Sequence, residues 1–287
     1  VLKNELRICG VEVKLKTPVK KIEKSEVFKI FTDSEIFEAK KLIIATGGKS
    51  YEVTGSSGDG YSFSKELGLK IVEPRPALTP CYIKDYSYTT LAGVSFRNAI
   101  LELWRDNKKL GTYEGDLLFT HKNLSGPLII DNSRYIKKDD KLRINFSGEN
   151  LEIFEKNLRN TINNNGNKFV KNIFDNPNFS ERFIKVILKE CEISEETKCN
   201  SLKKEQIKRL IEALGNHAYE VSKLEGFNIA MVTAGGVALE EINKNTMESK
   251  KIKDLYIVGE LLDIDGDTGG YNIQGAYSTG ALAAESI

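Results

Sequence analysis

Two short apolar runs, at residues 42–45 and 255–258, stand out in the hydrophobic pattern of this chain. Each has the length of one strand and no polar alternation, which is typical of a parallel strand buried on both faces. Apolar positions at 11–17, 27–31 and 35–45 predict further strands, of which the last two belong to a small meander. The pattern therefore favours an α/β architecture with short strands near both ends of the chain.

Helices are predicted where apolar residues recur every three or four positions or where capping residues stand beside such a run. An amphipathic helix opens the chain and ends at Gly10, and another follows an N-cap at Ser57 or Asp59 and stops at Gly68. The last helix begins at about Tyr271 and carries glycine and alanine where other helices carry leucine. Such a small-residue surface can pack closely under a sheet or a flat ligand.

The pattern changes between these two ends of the chain. Three prolines within 74–80 disfavour both a helix and a central strand, and short strand-like runs follow to about residue 147. From 149 to about 214 the apolar spacing is helical, and strands resume at 219–224. We therefore predict one α/β domain formed by 1–75 and 233–287, with an insert made of a β-rich part at 76–148, a helical part at 149–214 and a β-rich return at 215–232.

Glycine-rich turns follow both buried strands. The first strand runs directly into Thr46, Gly47 and Gly48, and the second runs into Gly259 and a glycine cluster within 266–270. Glycine tolerates a positive φ angle and leaves room for a ligand beside the backbone. N–H groups at the start of the next helix would donate to a pyrophosphate or to a negatively charged reduced flavin. The alternative is an ordinary strand-to-helix turn rich in glycine.

Four segments of the sequence resemble one known family: ATGG with TGSSGDGY at 45–61, LFTHKNLSGP at 118–127, VTAGG at 232–236 and GELLDIDGDTGGYNIQ at 259–274. With these motifs, essentially the whole chain resembles the bacterial BaiN-like NAD(P)/FAD-dependent oxidoreductases. The resemblance implies an α/β fold: an incomplete FAD-binding domain of the Rossmann-like, two-dinucleotide-binding type, with a β-barrel-like and helical domain inserted in it. It also implies FAD as the cofactor and NADH or NADPH as the reductant.

The resemblance implies that the glycine-rich segments contact FAD. The N–H groups of Gly269 and Gly270 would stabilise the reduced ring, and Glu260 or Asp263 would accept hydrogen bonds from ribityl hydroxyls. The residues expected to bind the cofactor are Thr46, Gly47, Gly48, Gly235, Gly236, Gly259, Glu260, Asp263, Gly269, Gly270, Tyr271, Asn272 and Gln274. His121 is the candidate catalytic residue as a proton donor or hydrogen-bond partner, and its alternative role is to stabilise the turn at a strand end.

Three features depart from the family pattern. Asn123 stands where the family usually has glycine, and Gly275 stands where a large aromatic residue is common. The sequence also contains no G-x-G-x-x-G turn with an acidic residue roughly 20 positions later, the feature that binds the adenosine half of FAD. We therefore expect a fragment or truncated chain that binds FAD weakly or not at all by itself. A complete protein that binds its nucleotide in another way is the alternative.

Composition adds constraints on partners and location. With 40% hydrophobic and 29% charged residues, the 287-residue chain can bury a sizeable core in two or three domains. The net charge of +1 predicts no nucleic-acid partner, and no apolar run reaches the length of a membrane span. The four cysteines form no C-x-x-C pair, so we expect reduced thiols, no bound metal and a cytoplasmic protein. The oligomeric state cannot be read from the sequence.

The predicted function is that of a flavoprotein oxidoreductase. It would pass hydride from NADH or NADPH through FAD to a small organic acceptor. An enone is one candidate, because the resemblance includes family members that reduce steroid-like bile acids. Two alternatives stay open: a flavin-dependent RNA-modifying protein, which needs a basic and aromatic-rich face, and a truncated non-catalytic remnant that binds a partner without flavin.

Overall fold

The computed structural model describes residues 2–287, and within them the chain forms thirteen β-strands and seven α-helices. The strands are β1 (Val19–Lys24), β2 (Phe28–Thr32), β3 (Ile36–Ala39), β4 (Leu42–Ile44), β5 (Ile71–Ala77), β6 (Cys81–Ile83), β7 (Ser95–Arg105), β8 (Lys108–Phe119), β9 (Leu124–Ser125), β10 (Lys141–Asn145), β11 (His217–Leu224), β12 (Val232–Val237) and β13 (Leu255–Ile257). The helices are α1 (Leu2–Ile8), α2 (Asp59–Glu66), α3 (Pro127–Ile130), α4 (Leu151–Asn164), α5 (Glu181–Glu190), α6 (Lys204–Gly215) and α7 (Tyr271–Glu285). Among these helices, none within residues 2–287 is long and apolar enough to cross a membrane.

Six strands close into a barrel in the order β10, β11, β6, β9, β8 and β7. Its longest pair, β7 and β8, is a hairpin that turns through Asp106 and Asn107, whose φ angles are 49° and 60°. Positive φ at both central residues is the geometry of a type I′ turn, which matches the twist of the paired strands. Closure removes the free strand edges, so this sheet needs no further strand.

Helices α4, α5 and α6 share one continuous apolar core with the barrel. The side chains of Asn150 and Ser180 start α4 and α5 by accepting backbone N–H groups of the first turn. The centre of the core is a group of fully buried aromatic rings with neighbouring centroids 4.7–6.0 Å apart, formed by Phe96, Phe119, Phe146 and Phe183. The helical part therefore continues the barrel core.

The remaining strands form three small sheets. Strands β1, β2 and β3 make an antiparallel meander, in which β2 and β3 match the runs predicted at 27–31 and 35–45. Strand β1 was not predicted, and the end of the second run forms β4 in another sheet. Strands β5 and β12 pair antiparallel, and β4 and β13 pair parallel with Leu255 opposite Leu42. The first and last parts of the chain therefore meet in one sheet, and the turns after β4 and β13 leave it at the same edge.

Two strand predictions differ from the structure. Residues 11–17 form no strand, because no strand of residues 2–287 pairs with them and their apolar side chains are exposed. Strand β5 runs through Pro74 and Pro76, where the prolines predict no central strand. It belongs to a two-stranded sheet, in which a missing N–H on the free edge is tolerated.

The start of α2 also differs from the prediction. Its N-cap is Gly58, with a φ angle of 85° and no capping side chain, so the expected cap at Ser57 or Asp59 was wrong. The left-handed conformation at Gly58 sets the direction of the helix instead. Its end is as predicted, since Gly68 follows the last turn with a φ angle of 90°.

Candidate functional site

Thr233 joins glycine-rich segments that are distant in the sequence. Its buried hydroxyl accepts hydrogen bonds from the backbone N–H groups of Lys49 at 2.8 Å and Ser50 at 3.1 Å. Its own N–H donates to Glu260 Oε1 at 2.6 Å. The turn after β4, strand β12 and the turn after β13 therefore meet at one point, among the residues expected to bind the cofactor.

Glu260 is the charged group at this point. Burial raises the pKa of the Glu260 carboxyl above its ordinary value, and the hydrogen bonds from Thr233 oppose that shift. Tyr61 donates its hydroxyl to the Glu260 carbonyl oxygen at 3.4 Å, and burial together with the Glu260 charge raises the pKa of Tyr61 to about 12. Tyr61 is therefore a neutral donor at physiological pH, and Thr233 already occupies one oxygen of the Glu260 carboxylate.

Several of the expected cofactor-binding glycines are explained by close packing of the chain itself. A β-carbon at Gly48 would lie 2.6 Å from the Thr233 hydroxyl oxygen, and β-carbons at Gly235 and Gly236 would overlap backbone carbonyl oxygens of neighbouring segments. The last two also have φ angles of 90° and 137°. Glycine is required at these positions with or without a cofactor, so their contact with FAD stays a prediction.

The turns after β4 and β13 also contain Thr46, Gly47 and Gly259. Gly47 and Gly259 have φ angles of 76° and 70°, in the left-handed region that favours glycine. The N–H of Gly259 donates to Thr279 Oγ1 at 2.9 Å, which ties this turn to α7. The Thr46 hydroxyl occupies the space that a side chain at Gly60 would need. Both turns are thus held against helices by specific contacts.

Gly270 differs from these glycines because it borders open space. The φ angles of Gly269 and Gly270 are 117° and 93°, and no heavy atom of residues 2–287, chain neighbours apart, lies within 4 Å of a β-carbon position at Gly270. Within the same residues, neither backbone N–H has a hydrogen-bond acceptor. Helix α7 begins directly after them at Tyr271, which is 66% exposed. The start of α7 is therefore an open group of N–H donors.

The polar residues around this loop also hold its shape. Asn272 accepts a hydrogen bond from the Gly266 N–H at 2.8 Å and donates one to the Gly266 carbonyl at 2.9 Å. The backbone N–H of Asp263 donates to a carbonyl of β12 at 3.0 Å. The Gln274 amide donates to Ser278 at 3.0 Å on the exposed side of α7. Loop geometry accounts for Asn272, and cofactor contacts by Asp263, Asn272 and Gln274 stay predictions.

Residues that the sequence patterns did not indicate reach the loop from the barrel side. Asp131, at the end of α3, accepts hydrogen bonds from the Thr268 N–H at 2.9 Å and the Thr268 hydroxyl at 3.3 Å. Arg134 donates to the Asp265 carbonyl at 3.1 Å and to the Asp267 carboxylate at 2.9 Å. The partners lie 131–137 positions away along the chain, so no local motif marks Asp131 or Arg134.

His121 lies in the exposed loop between β8 and β9. Its carbonyl oxygen accepts from the Thr89 hydroxyl at 3.4 Å, and its imidazole has no hydrogen-bond partner among residues 2–287. Thr120 and Asn123 close the turn, with the Asn123 N–H donating to the Thr120 hydroxyl oxygen at 3.1 Å. Asn123 does not have a positive φ angle, so a side chain fits where the family has glycine. The catalytic role of His121 stays a prediction.

Other titratable groups lie in the barrel and its helices. His217 Nε2 is 3.1 Å from the Tyr88 hydroxyl, and burial lowers the pKa of His217 to about 4. All four cysteines are free, and burial raises the pKa of Cys81 to about 12. Within residues 2–287, no group of three or more His, Cys, Asp or Glu side chains could hold a metal ion.

Comparison with known proteins agrees with this arrangement. A family model described as "HI0933-like protein Rossmann domain" matches residues 1–286. The chain belongs to this family. Membership in the HI0933-like family confirms the Rossmann-like α/β fold class, and the structure adds the inserted six-stranded barrel. The resemblance expected from the glycine motifs is confirmed as well.

Three of the relatives that match this chain cover its whole length. A 3-dehydro-bile acid delta(4,6)-reductase of Clostridium scindens is 30% identical over 301 residues, which cover 100% of this chain and 71% of the relative. A ribosomal RNA dihydrouridine synthase of Haemophilus influenzae is 28% identical over 295 residues, again 100% of this chain and 71% of the relative. A ribosomal RNA dihydrouridine synthase of Escherichia coli is 29% identical over 293 residues, with 100% and 70% covered. One of these relatives is a reductase, which indicates that the family consists of oxidoreductases.

Proposed function

We propose that the protein is a flavoprotein oxidoreductase that passes hydride from NADH or NADPH through FAD to an α,β-unsaturated carbonyl compound. The observation that carries the proposal is the open start of α7, where the N–H groups of Gly269 and Gly270 have no acceptor within residues 2–287. The four free cysteines are consistent with a cytoplasmic protein, which the proposal includes.

The names of the relatives support one reaction type. A delta(4,6)-reductase of a 3-dehydro-bile acid acts on ring double bonds conjugated with a ketone. A dihydrouridine synthase saturates the uracil double bond that is conjugated with a carbonyl group. In both reactions, hydride adds to the carbon remote from the carbonyl and a proton adds to the carbon beside it. The shared chemistry is a conjugate reduction, and we propose it for this chain.

The loop before α7 fits a flavin ring. A flat ring needs space free of side chains and donors for the negative charge of its reduced form. Gly270 borders such a space, and the N–H groups of Gly269, Gly270 and the start of α7 are the donors. Bound FAD would supply the hydride chemistry. The Asp263 carboxylate and the second oxygen of Glu260 are the candidate acceptors for ribityl hydroxyls, and residues 46–48 form the second contact of the proposed site.

His121 is our candidate donor of the proton that completes the reduction. It is exposed, its imidazole has no hydrogen-bond partner within residues 2–287, and its loop continues through β9 into α3 and Asp131, which contacts the glycine-rich loop. Replacing His121 by asparagine keeps a polar side chain but removes the transferable proton. We expect flavin reduction by NADH or NADPH to be unchanged and substrate reduction to fall roughly 100-fold, the size typical of general acid catalysis.

The test starts with the purified protein and added FAD. Because the sequence contains no G-x-G-x-x-G turn, we expect weak binding, so FAD is titrated to saturation. The bound flavin should be bleached by NADH or NADPH without oxygen and regain its absorbance when a steroid enone is added. A protein that does not change the absorbance of added FAD even at high FAD concentration would contradict the proposal and favour the non-catalytic, partner-binding alternative. A bleached flavin that no enone reoxidises would contradict the substrate class alone.

A uridine of ribosomal RNA is the second candidate acceptor, because two relatives at 28% and 29% identity are named as ribosomal RNA dihydrouridine synthases. Those names conflict with the prediction of no nucleic-acid partner. The net charge of +1 supplies little general attraction for RNA, which leaves the small molecule as our first choice. The reduced protein should be given a steroid enone and unmodified ribosomal RNA in parallel. Two added hydrogens, detected by mass spectrometry in one substrate only, identify the class.

A further inference from the structure

The loop at 263–270 needs support from outside itself. It forms no helix or strand, and its two final glycines have positive φ angles. Ordering a glycine-rich segment costs more backbone entropy than ordering other residues. Asn272 holds Gly266 from the helix side, and Asp131 binds Thr268, which directly precedes the open glycines. The end of the loop that matters for the proposed site is thus held by the inserted domain.

Arg134 is the second contact from that domain. Its side chain is 12% exposed, and its Nε lies 3.0 Å from Asp265 Oδ2 without completing a hydrogen bond, so this contact is a charge interaction. Burial raises the pKa of the Asp265 carboxyl, and the charges of Arg134 and Arg75 oppose that shift. Removing Arg134 would leave the negative charge of the buried Asp265 carboxylate without its nearest positive partner. The loop would then gain free energy by opening and exposing Asp265 to water.

We infer that Asp131 and Arg134 are positioning residues that hold the N–H groups of Gly269 and Gly270 where a flavin can meet them. This inference rests on the proposed function. Neither side chain has to touch the cofactor, since each acts through residues 265–268. A loop that is ordered before binding loses less entropy when the ligand binds, so the protein binds that ligand with higher affinity. The inserted domain would then be part of the cofactor site.

Hydrogen–deuterium exchange of the flavin-free protein tests the anchoring itself. Each variant leaves one amide of the loop with its acceptor: the Thr268 N–H keeps Asp131 in Arg134→Ala, and the Gly266 N–H keeps Asn272 in Asp131→Ala. Faster exchange at that amide therefore reports a less ordered loop and not the loss of its own hydrogen bond. We expect exchange at these amides to be about 10-fold faster than in the wild type, the equivalent of about 1.4 kcal/mol. Asp131→Asn keeps an acceptor and should retain most of the protection.

Arg209→Ala is the control within the inserted domain. Arg209 on α6 donates to the Glu192 carboxylate at 2.8 Å, so this variant also removes an arginine that is paired with a carboxylate. Neither residue contacts the glycine-rich loop or the segment at 131–135 in the hydrogen bonds of residues 2–287. Exchange in the loop should therefore match the wild type.

Titration with FAD then measures the consequence for the site. We expect the Kd for FAD to rise about 10-fold in Asp131→Ala and Arg134→Ala and to stay near the wild-type value in Asp131→Asn and Arg209→Ala. Unchanged loop exchange in both alanine variants would overturn the inference, as would a faster-exchanging loop with an unchanged Kd. If the wild type bound no FAD, the proposed function would fail together with the role in flavin positioning, whereas exchange would still decide whether the insert anchors the loop.

Discussion

The barrel with its helices and the glycine-rich half of the molecule differ in how their strands pair and in how much of their surface is enclosed. The barrel closes on itself and shares one buried aromatic core with α4, α5 and α6. In the glycine-rich half, strands pair only in twos and threes. Helix α7 lies wholly within the described residues, yet it buries only Ala283, and its Ile273 is 79% exposed. The glycine-rich half has a smaller apolar core of its own, which includes Phe28, Leu255 and Ile257. Its glycine-rich turns lie outside that packing and are joined by hydrogen bonds through Thr233.

This difference is consistent with a stable barrel that supports a ligand-binding loop. A loop that receives a ligand must stay accessible, so it cannot be enclosed in a core of its own, and such loops belong to the less stable parts of proteins. A rigid neighbouring domain can hold the loop at a few points without filling the space in front of it. Changes in the barrel should consequently reduce stability, and changes in the loop should reduce ligand binding.

Phe146→Ala should produce the largest effect on stability. The ring is fully buried, with centroids of Phe96 and Phe183 at 4.7 and 5.0 Å, so its loss leaves a cavity between strand and helix. We expect the free energy of unfolding to fall by about 3–5 kcal/mol. Urea unfolding followed by the fluorescence of Trp104 on β7, the single tryptophan, measures this loss. Ile273→Ala is the control and should change stability by less than about 0.5 kcal/mol; similar losses would refute the contrast.

His217 should make the barrel sensitive to mild acid. Its pKa falls from 6.5 to about 4 in the folded protein because the ring is buried. The unfolded chain therefore binds the proton more strongly, and stability decreases as the pH drops from 6.5 towards 4. We expect a loss of roughly 2–3 kcal/mol over this window, measured by urea unfolding at several pH values.

His217→Gln is the matched control for this prediction, since glutamine can form hydrogen bonds but does not titrate. Burial raises the pKa of the neighbouring Glu190 carboxyl, and Glu190 is present in both proteins. The difference between the two pH curves therefore isolates His217. A variant curve as steep as that of the wild type would show that another group causes the acid sensitivity.

Gly270→Val tests the glycine-rich half directly. A β-branched side chain would fill the open space and is strained at a φ angle of 93°. We expect loss of FAD retention, with a Kd at least about 10-fold higher, and a stability loss of only about 1–2 kcal/mol. Gly93→Val has a similar φ angle of 84° and similar open space, but it lies at the barrel. It should lose the same stability and no FAD affinity; equal FAD losses would place the site elsewhere.

Glu260→Gln should have the smallest effect. The pKa of Glu260 is raised in the folded protein, so its charged form opposes folding at neutral pH, and glutamine still accepts the hydrogen bond from Thr233. We expect a gain of up to about 1 kcal/mol at neutral pH that disappears as the pH falls to 4.5. Glu240→Gln is the control, because Lys70 lowers the pKa of Glu240. Thermal unfolding of both variants at the two pH values is the measurement. A gain in stability for Glu240→Gln as well as for Glu260→Gln would contradict this account.

Much of the glycine-rich half could be predicted from the sequence because it depends on residues close together in the chain. The apolar runs at 42–45 and 255–258 predicted buried parallel strands, and the structure pairs β4 with β13 in parallel. Strand β13 is buried as predicted, but Ile43 at the centre of β4 is 40% exposed. The final helix begins at Tyr271, as predicted. The strand expected at 11–17 was wrong, because a strand also needs a partner and no element of residues 2–287 provides one.

The amino-acid sequence by itself determined the main elements, the glycine-rich turns and the family. Only the tertiary structure decided what each glycine faces: Gly48 is enclosed by Thr233 and Glu260, whereas Gly270 borders open space, although both follow another glycine in a similar motif. It also decided that Arg134 meets the loop before α7. Local periodicity and capping act over a few positions, but contacts between distant segments depend on how whole elements pack, and the candidate site consists of such contacts.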